Sequence, residues 1–232
     1  MYVSGKNVVK EYIRNNRKIY KAFLYNNFND DEILDYLKRK NIQIEYFKDK
    51  RDLDRLNKGN HQGVIIRVDD YEYADIDDFV NKDDALIVIL DHIEDPHNFG
   101  AIIRTCEAAG VDGIIIPKDR SCEVTDTVIR TSVGASDYMK IAEVTNLTNT
   151  INNLKDKGYW FVGMDMDGED YTKIDYKGKI GLIVGSEGFG MKRLVKESCD
   201  FIASIPMNGK VNSLNASVAA GIIIYEAIKL RK

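Results

Sequence analysis

Six short apolar runs, interleaved with segments of helical pattern, constrain this chain more than any other feature. Residues 85–90 (ALIVIL), 113–117 (GIIIP) and 180–185 (IGLIVG) contain no polar side chain at all. A strand with one face in water alternates apolar and polar residues, whereas a strand without alternation has both faces covered. Similar runs occupy 139–144, 159–166 and 201–206, and helical patterns occupy 99–109, 124–136, 146–158, 189–198 and 213–230. This order predicts an α/β fold, a mostly parallel sheet covered by helices.

A smaller alternation precedes it. A helix is expected from Asn7, strands at 19–25, 42–47 and 63–68, and helices at 32–40 and 49–59, the latter ending at Gly59. The second helix carries a capping sequence, Asn29-Asp30-Asp31-Glu32, with acids in its first turn and bases in its last, as the helix dipole prefers. Charge separates this front module from the rest of the chain. The net charge is −4, which alone disfavours a polyanionic partner. Yet residues 1–68 hold 15 Lys/Arg against 9 Asp/Glu, and residues 69–95 hold 1 against 11. The expected organisation is therefore a basic α/β module at 1–70, an acidic linker at 71–84 and a second domain at 85–232. A basic front module points to a polyanion, with Lys38, Arg39, Lys48, Lys50, Arg51 and Arg55 as its candidate contacts. No apolar run approaches the roughly 20 residues of a membrane span. Cys106, Cys122 and Cys199 are odd in number and lack CxxC spacing, so neither a disulfide framework nor a zinc site is suggested. A cytoplasmic protein is expected.

Open parallel sheets bind ligands beyond the carboxyl ends of their strands, and three polar turns stand there. The first is Asp91–Gly100 (DHIEDPHNFG), leading to Arg104; with a helix starting near Asn98, Arg104 falls in its second turn, able to share a face with the turn residues. His92, Glu94, Asp95 and His97 crowd this turn without the spacing of a metal motif, and no metal is expected. The second is Gly185–Gly190 (GSEGFG), whose glycines let a ligand approach the backbone. It reads GxxGxG rather than the dinucleotide GxGxxG, and no Walker sequence occurs. The third is Ser213-Leu214-Asn215, at the start of a helix of small residues, where Asn215 can cap.

Taken together, NxGxxxR (98–104), GSEGFG (185–190) and IPMxGxVxSLNxSVAAG (205–221) resemble the three motifs of the SpoU/TrmH-type RNA ribose 2′-O-methyltransferases, over residues 85–232. The front module resembles the ribosomal-protein-like RNA-binding domain of the RlmB subgroup, with SGKNVVKE at the start and His61-Gln62-Gly63-Val64 near its end. The resemblance implies a SPOUT fold with a C-terminal trefoil knot, a homodimer and S-adenosyl-L-methionine as cofactor. It implies cofactor contacts near Gly185, Ile205 and Leu214, and a catalytic group of Asn98, Arg104, Glu187, Ser213 and Asn215.

The chemistry suits those residue types. A ribose hydroxyl is a poor nucleophile until its proton leaves, so the protein must position it and assist that loss. A guanidinium does not deprotonate in proteins. Arg104 therefore suits an RNA phosphate and polarisation of the hydroxyl, with proton loss through phosphate or water; Glu187 is the other candidate base, or orients Asn98. Ser213 and Asn215 would fix Arg104 and the cofactor carboxylate, or simply cap the helix. The resulting expectation is methylation of a guanosine in the peptidyl-transferase region of 23S rRNA. The alternatives are the same reaction on tRNA, and a non-catalytic RNA-binding assembly factor.

Overall fold

The computed structural model describes residues 1–58 and 60–231. In chain order the elements are β1 (Tyr2–Ser4), α1 (Lys6–Arg14), β2 (Lys21–Tyr25), α2 (Asp31–Arg39), β3 (Gln43–Phe47), α3 (Lys50–Leu56) and β4 (Val64–Arg67). They continue with β5 (Leu86–Asp91), α4 (Pro96–Ala109), β6 (Gly113–Pro117), α5 (Asp126–Thr131), β7 (Ile141–Val144), α6 (Leu147–Asp156) and β8 (Trp160–Asp170). The last are β9 (Ile180–Gly185), α7 (Arg193–Glu197), β10 (Phe201–Ser204) and α8 (Ala216–Leu230). The chain forms two units, residues 1–72 with 124–134, and residues 73–123 with 135–232.

The first unit is a four-stranded sheet of order β1-β4-β2-β3. β2 and β3 run parallel, and β4 is antiparallel to both its neighbours. Parallel neighbours need a crossover connection, which α2 supplies. As its sequence requires, α2 starts at Asp30, whose side chain accepts the Ile33 N–H at 3.3 Å. β1 shows no periodicity in the sequence because it has three residues. α5 joins this unit: Asp126 accepts the Ser4 N–H at 2.8 Å. That helix is shorter than the expected 124–136, since Val133 and Gly134 both turn to positive φ just beyond it. α3 ends at Asn57; Gly59, expected as its stop, lies outside the described residues.

In the second unit six strands, all parallel, follow the order β10-β8-β9-β5-β6-β7. Every residue of β5 and β6 is buried, as strands without alternation must be. Ile87, Ile89, Ile115, Phe161 and Ile183 centre the core. The acidic stretch at 71–84, expected as a linker, also contributes to it: Phe79 and Val80 are buried in the same cluster. The Phe79 ring occupies the space beside Gly113, where a Cβ would lie 2.3 Å from it.

Two differences from the sequence reading shape the site. α4 begins at Pro96 rather than near Asn98, with Asp95 accepting the His97 N–H at 3.0 Å; proline at the first helical position has φ preset and no N–H to lose. β8 is longer than expected and pairs with β10 at Val162–Gly163 and again at Glu169–Asp170. Residues 164–168 therefore bulge out of register, and Gly168 lies so close to β10 that a Cβ would meet the Ile202 carbonyl at 2.5 Å.

Candidate active site

The carboxyl ends of β5, β9 and β10 lead into the three polar turns. Asp91, at the end of β5, is fully buried; its carboxylate binds the His92 ring and accepts the Lys192 N–H at 2.6 Å. This fixes the chain just after the glycine turn against the end of β5. The turn itself explains its composition. Ser186 and Gly190 exchange backbone hydrogen bonds of 3.1 and 2.9 Å, so the backbone of Gly190 and Met191 folds directly over Gly185. A Cβ on Gly185 would lie 2.2 Å from the Gly190 carbonyl carbon. Gly188 and Gly190 adopt φ of 78° and 67°, which suits glycine.

Asn215 caps α8, its Oδ1 accepting N–H bonds from Ser217 at 3.0 Å and Val218 at 3.4 Å. Because backbone N–H groups can only donate, the orientation of this amide is fixed, and its Nδ2 must point away from the helix. Nδ2 donates to Asn98 Oδ1 at 2.8 Å and to Glu187 Oε1 at 2.6 Å. Asn98 is then oriented in turn, its own Nδ2 donating to Glu187 Oε1 at 2.8 Å. One residue from each motif thus meets in a closed network whose polarity is set by a helix terminus. Glu187 Oε1 receives two donors, and Oε2 has no partner among the described residues, leaving one carboxylate oxygen to accept a further hydrogen bond.

Beside this network lies a cleft of about 860 Å³. Gly185, Ile205 and Leu214, the expected cofactor contacts, all line it, and so does Ser213. Ser213 makes no hydrogen bond among the described residues, to Arg104 or to any other. Nor does Arg104 join the network. It is exposed, six residues beyond Asn98 and so roughly 120° around the helix, and among the described residues it forms no hydrogen bond or ion pair.

The bulge of β8 supplies a cleft wall that the sequence reading missed. Asp165, Asp167 and Lys196 line it, with Lys196 Nζ 2.8 Å from Asp165 and 3.8 Å from Asp167. Burial pushes the Asp165 carboxyl up, but hydrogen bonds from Lys196 and the Asp167 N–H outweigh it and hold the group below the usual carboxylate range. The available signal was the acidic run MDMDGED at a strand end. A second cavity, about 470 Å³, opens on the other side of the 186–190 turn and also reaches Asn98 and Glu187.

On the first unit all six candidate basic residues are exposed. They do not form one spot. Lys38 and Arg39 precede β3 and the other four follow it, so the length of a five-residue strand, roughly 15 Å, separates the groups. Arg51 and Arg55 are paired to Asp49 at 2.6 Å and Asp52 at 2.9 Å; such exposed pairs are weak.

A parallel α/β sheet with a polar network joining three strand-end turns, beside a cleft of ligand size, defines a ligand-binding enzyme domain that follows a small basic module in the chain. The SpoU rRNA Methylase family matches residues 85–225, and the family described as RNA 2′-O ribose methyltransferase substrate binding matches residues 2–74. The chain belongs to the SpoU methylase family and is an RNA methyltransferase of that family. It is 44% identical over 239 residues to YacO of Bacillus subtilis (strain 168), assigned to the TrmH family of tRNA/rRNA methyltransferases, covering 99% of this chain and 96% of that protein. Among solved structures, the AdoMet-bound rRNA methyltransferase from Sinorhizobium meliloti superimposes with a TM-score of 0.79 at 24% identity, over 98% of this chain and 86% of that one. The TrmH/SpoU tRNA modifying enzyme of A. aeolicus matches with a TM-score of 0.59 at 30% identity, over 65% of this chain and 77% of that one.

Proposed function

We propose that this chain transfers a methyl group from S-adenosyl-L-methionine to a ribose 2′-hydroxyl of RNA, at a guanosine in the peptidyl-transferase region of 23S rRNA. The observation that carries the reading is the Asn98–Glu187–Asn215 network at the edge of the cleft. It holds an acceptor oxygen, Glu187 Oε2, where a hydroxyl can be bound beside a ligand in the cleft. The cleft suits the cofactor chemically: Met164, Val184, Ile205 and Leu214 offer an apolar wall, and Asp165 and Asp167 offer acceptors for hydroxyl or ammonium groups. Gly185, without a side chain, lets the 190–191 backbone fold over it and so shapes that end of the cleft. The cofactor supplies an activated sulfonium methyl.

The protein's part is to hold and deprotonate the hydroxyl. Glu187, oriented by two amide donors, accepts its hydrogen bond, while Arg104 holds the neighbouring phosphate and polarises the hydroxyl. A homodimer fits this assignment, because Arg104 stands apart from the network of its own chain. It also fits α8, which exposes Val218 and Tyr225, seven residues apart and so on one helical face. The family resemblance further implies the knot, formed where residues 205–215 connect β10 to α8.

The rRNA reading is supported by the front module. The rRNA methyltransferase of S. meliloti matches nearly all of this chain, whereas the tRNA modifying enzyme of A. aeolicus matches about two thirds of it. RNA would be gripped by Lys38, Arg39, Lys48, Lys50, Arg51 and Arg55 through phosphates. The deciding measurement is transfer of labelled methyl to 23S rRNA and bulk tRNA side by side, with the product mapped. Label in tRNA alone would overturn the rRNA assignment; no transfer to either, with cofactor bound, would leave an assembly factor. Arg104→Ala should abolish transfer while leaving cofactor affinity within about twofold; lost cofactor binding would make its role structural.

A further inference from the structure

We propose that the second cavity, beyond the 186–190 turn from the cofactor cleft, seats the acceptor nucleotide of a single-stranded or unpaired RNA segment. In this assignment Arg120 and Lys192 hold a flanking phosphate and Phe189 stacks on a base. The proposal rests on the methyltransferase reading above and adds residues that the three motifs leave without a role.

Several observations converge on this cavity. It is about 470 Å³ and shares Asn98 and Glu187 with the catalytic network, so a nucleotide seated in it places its ribose beside Glu187. Its size lies within the roughly 300–1,000 Å³ of small-molecule sites. The 186–190 turn is a thin partition, with Ser186, Glu187, Phe189 and Gly190 lining both this cavity and the cofactor cleft. Two ligands on either side of such a partition approach each other at Glu187, as a group transfer between them requires.

The cations are placed for an anion. Arg120 is exposed and forms no hydrogen bond or ion pair among the described residues. Its loop is nevertheless held, since Cys122 donates its N–H to the Ile93 carbonyl at 2.9 Å. Lys192 is anchored through its backbone to buried Asp91, with its ammonium against His92 Nε2. His92 Nδ1 faces the Asp91 carboxylate, so the imidazole bridges the buried Asp91 and the Lys192 side chain at the cavity wall. Arg120 and His92 also have φ of 53° and 62°. Both are non-glycine residues in the left-handed region, and such conformations gather at ligand sites. Asp95 turns its carboxylate to the α4 N-terminus, and Glu187 is held at Oε1 by two amides with Oε2 directed to the ribose hydroxyl in this assignment, which leaves Glu94 as the remaining acid of the lining.

Phe189 supplies the last element. It stands at the tip of the turn and is 93% exposed, the most exposed of the large apolar side chains. Nothing in the fold requires a phenyl ring there. Unpaired bases stack on exposed aromatic side chains, and stacking tolerates any base.

The test uses the full-length protein, S-adenosyl-L-methionine and unmodified transcripts of 23S rRNA and tRNA. Arg120→Ala and Phe189→Ala should each raise KM for the methylated RNA about tenfold, with Tm unchanged in both and cofactor Kd unchanged in Arg120→Ala, whose side chain lines the second cavity alone. Arg120→Lys should recover part of the loss. Removing one phosphate contact should also reduce the slope of log affinity against log salt by about 0.7 to 1, a change that a merely structural role would not produce. Wild-type transfer together with unchanged KM and salt slope in Arg120→Ala and Phe189→Ala would overturn this site and leave the methyltransferase reading intact. No methyl transfer by the wild type to either RNA would overturn both.

Discussion

Asn215→Asp separates the two jobs of Asn215, because it replaces one NH2 by an oxygen at nearly constant volume. Oδ1 still accepts from the Ser217 and Val218 N–H groups, and aspartate caps helices about as well as asparagine, so α8 keeps its start. What disappears is the donor to Asn98 and Glu187, at 2.8 and 2.6 Å, and a second carboxylate now faces the first. Hydrogen bonds to charged groups contribute about 1.5–3 kcal/mol when sheltered. Glu187 is exposed, which places the loss nearer 1–2 kcal/mol, roughly 5- to 30-fold in the fraction of enzyme with Glu187 correctly held. Methyl transfer at pH 8 should fall by that factor while Tm changes little. Two touching carboxylates take up a shared proton more readily than either alone, and that proton restores a donor. The ratio of variant to wild-type activity should therefore rise as pH falls from 8 towards 5. Asn215→Ala, with no group to protonate, should show no such recovery and should also lose about 1 kcal/mol of cap. The assay is labelled-methyl transfer across that pH range, paired with thermal melts. Activity of Asn215→Asp within twofold of wild type at pH 8, or a ratio flat with pH, would refute the idea that this network positions Glu187.

Two predictions concern stability. Gly113→Ala would push a Cβ to 2.3 Å from the Phe79 ring and should cost about 1–3 kcal/mol by overpacking; urea denaturation checks this, and a loss below about 0.5 kcal/mol would show that Phe79 moves freely. Asp165 is held below the usual carboxylate range, so its ion pair with Lys196 stabilises the fold at neutral pH, and that stabilisation is lost as pH falls through the depressed value. The stability gap between wild type and Lys196→Met should shrink as pH drops below about 4; a gap constant from pH 7 to pH 3 would contradict the pairing.

Much of this was legible in the sequence, for identifiable reasons. Strands without polar side chains report burial on both faces, and β6 and β9 fall on the expected residues. The cap at Asn215 was legible because capping is chemistry between neighbours. Long-range packing was not. The acidic stretch hid Phe79 and Val80 because two buried residues among many charges make no period. The bulge of β8 was invisible because its cause, the register with β10, is a property of two strands whose paired residues lie 34 to 39 positions apart. The resemblance implies Arg104 in the catalytic group, and the sequence left open that it shares a face with the turn residues; six steps of 100° along α4 instead turn it away from Asn98.

The topology explains why residues so distant in sequence meet, and why the cleft lies where it does. In a parallel sheet all carboxyl ends share one edge, and β5 and β9 are direct neighbours, so the turns carrying Asn98 and Glu187 emerge side by side. Asn215 follows β10, the strand at the sheet margin, with β8 and β9 between it and β5. To bring α8 against α4, as observed, the chain must return across the ends of those two strands. Residues 205–215 make that passage, with Ile205, Pro206 and Leu214 lining the cleft together with residues 164–167 of the β8 bulge. The cleft is thus a consequence of the return path, and Asn215 is where that path closes. Its side chain starts the helix and, with the opposite end of the same amide, ties that helix to both earlier turns.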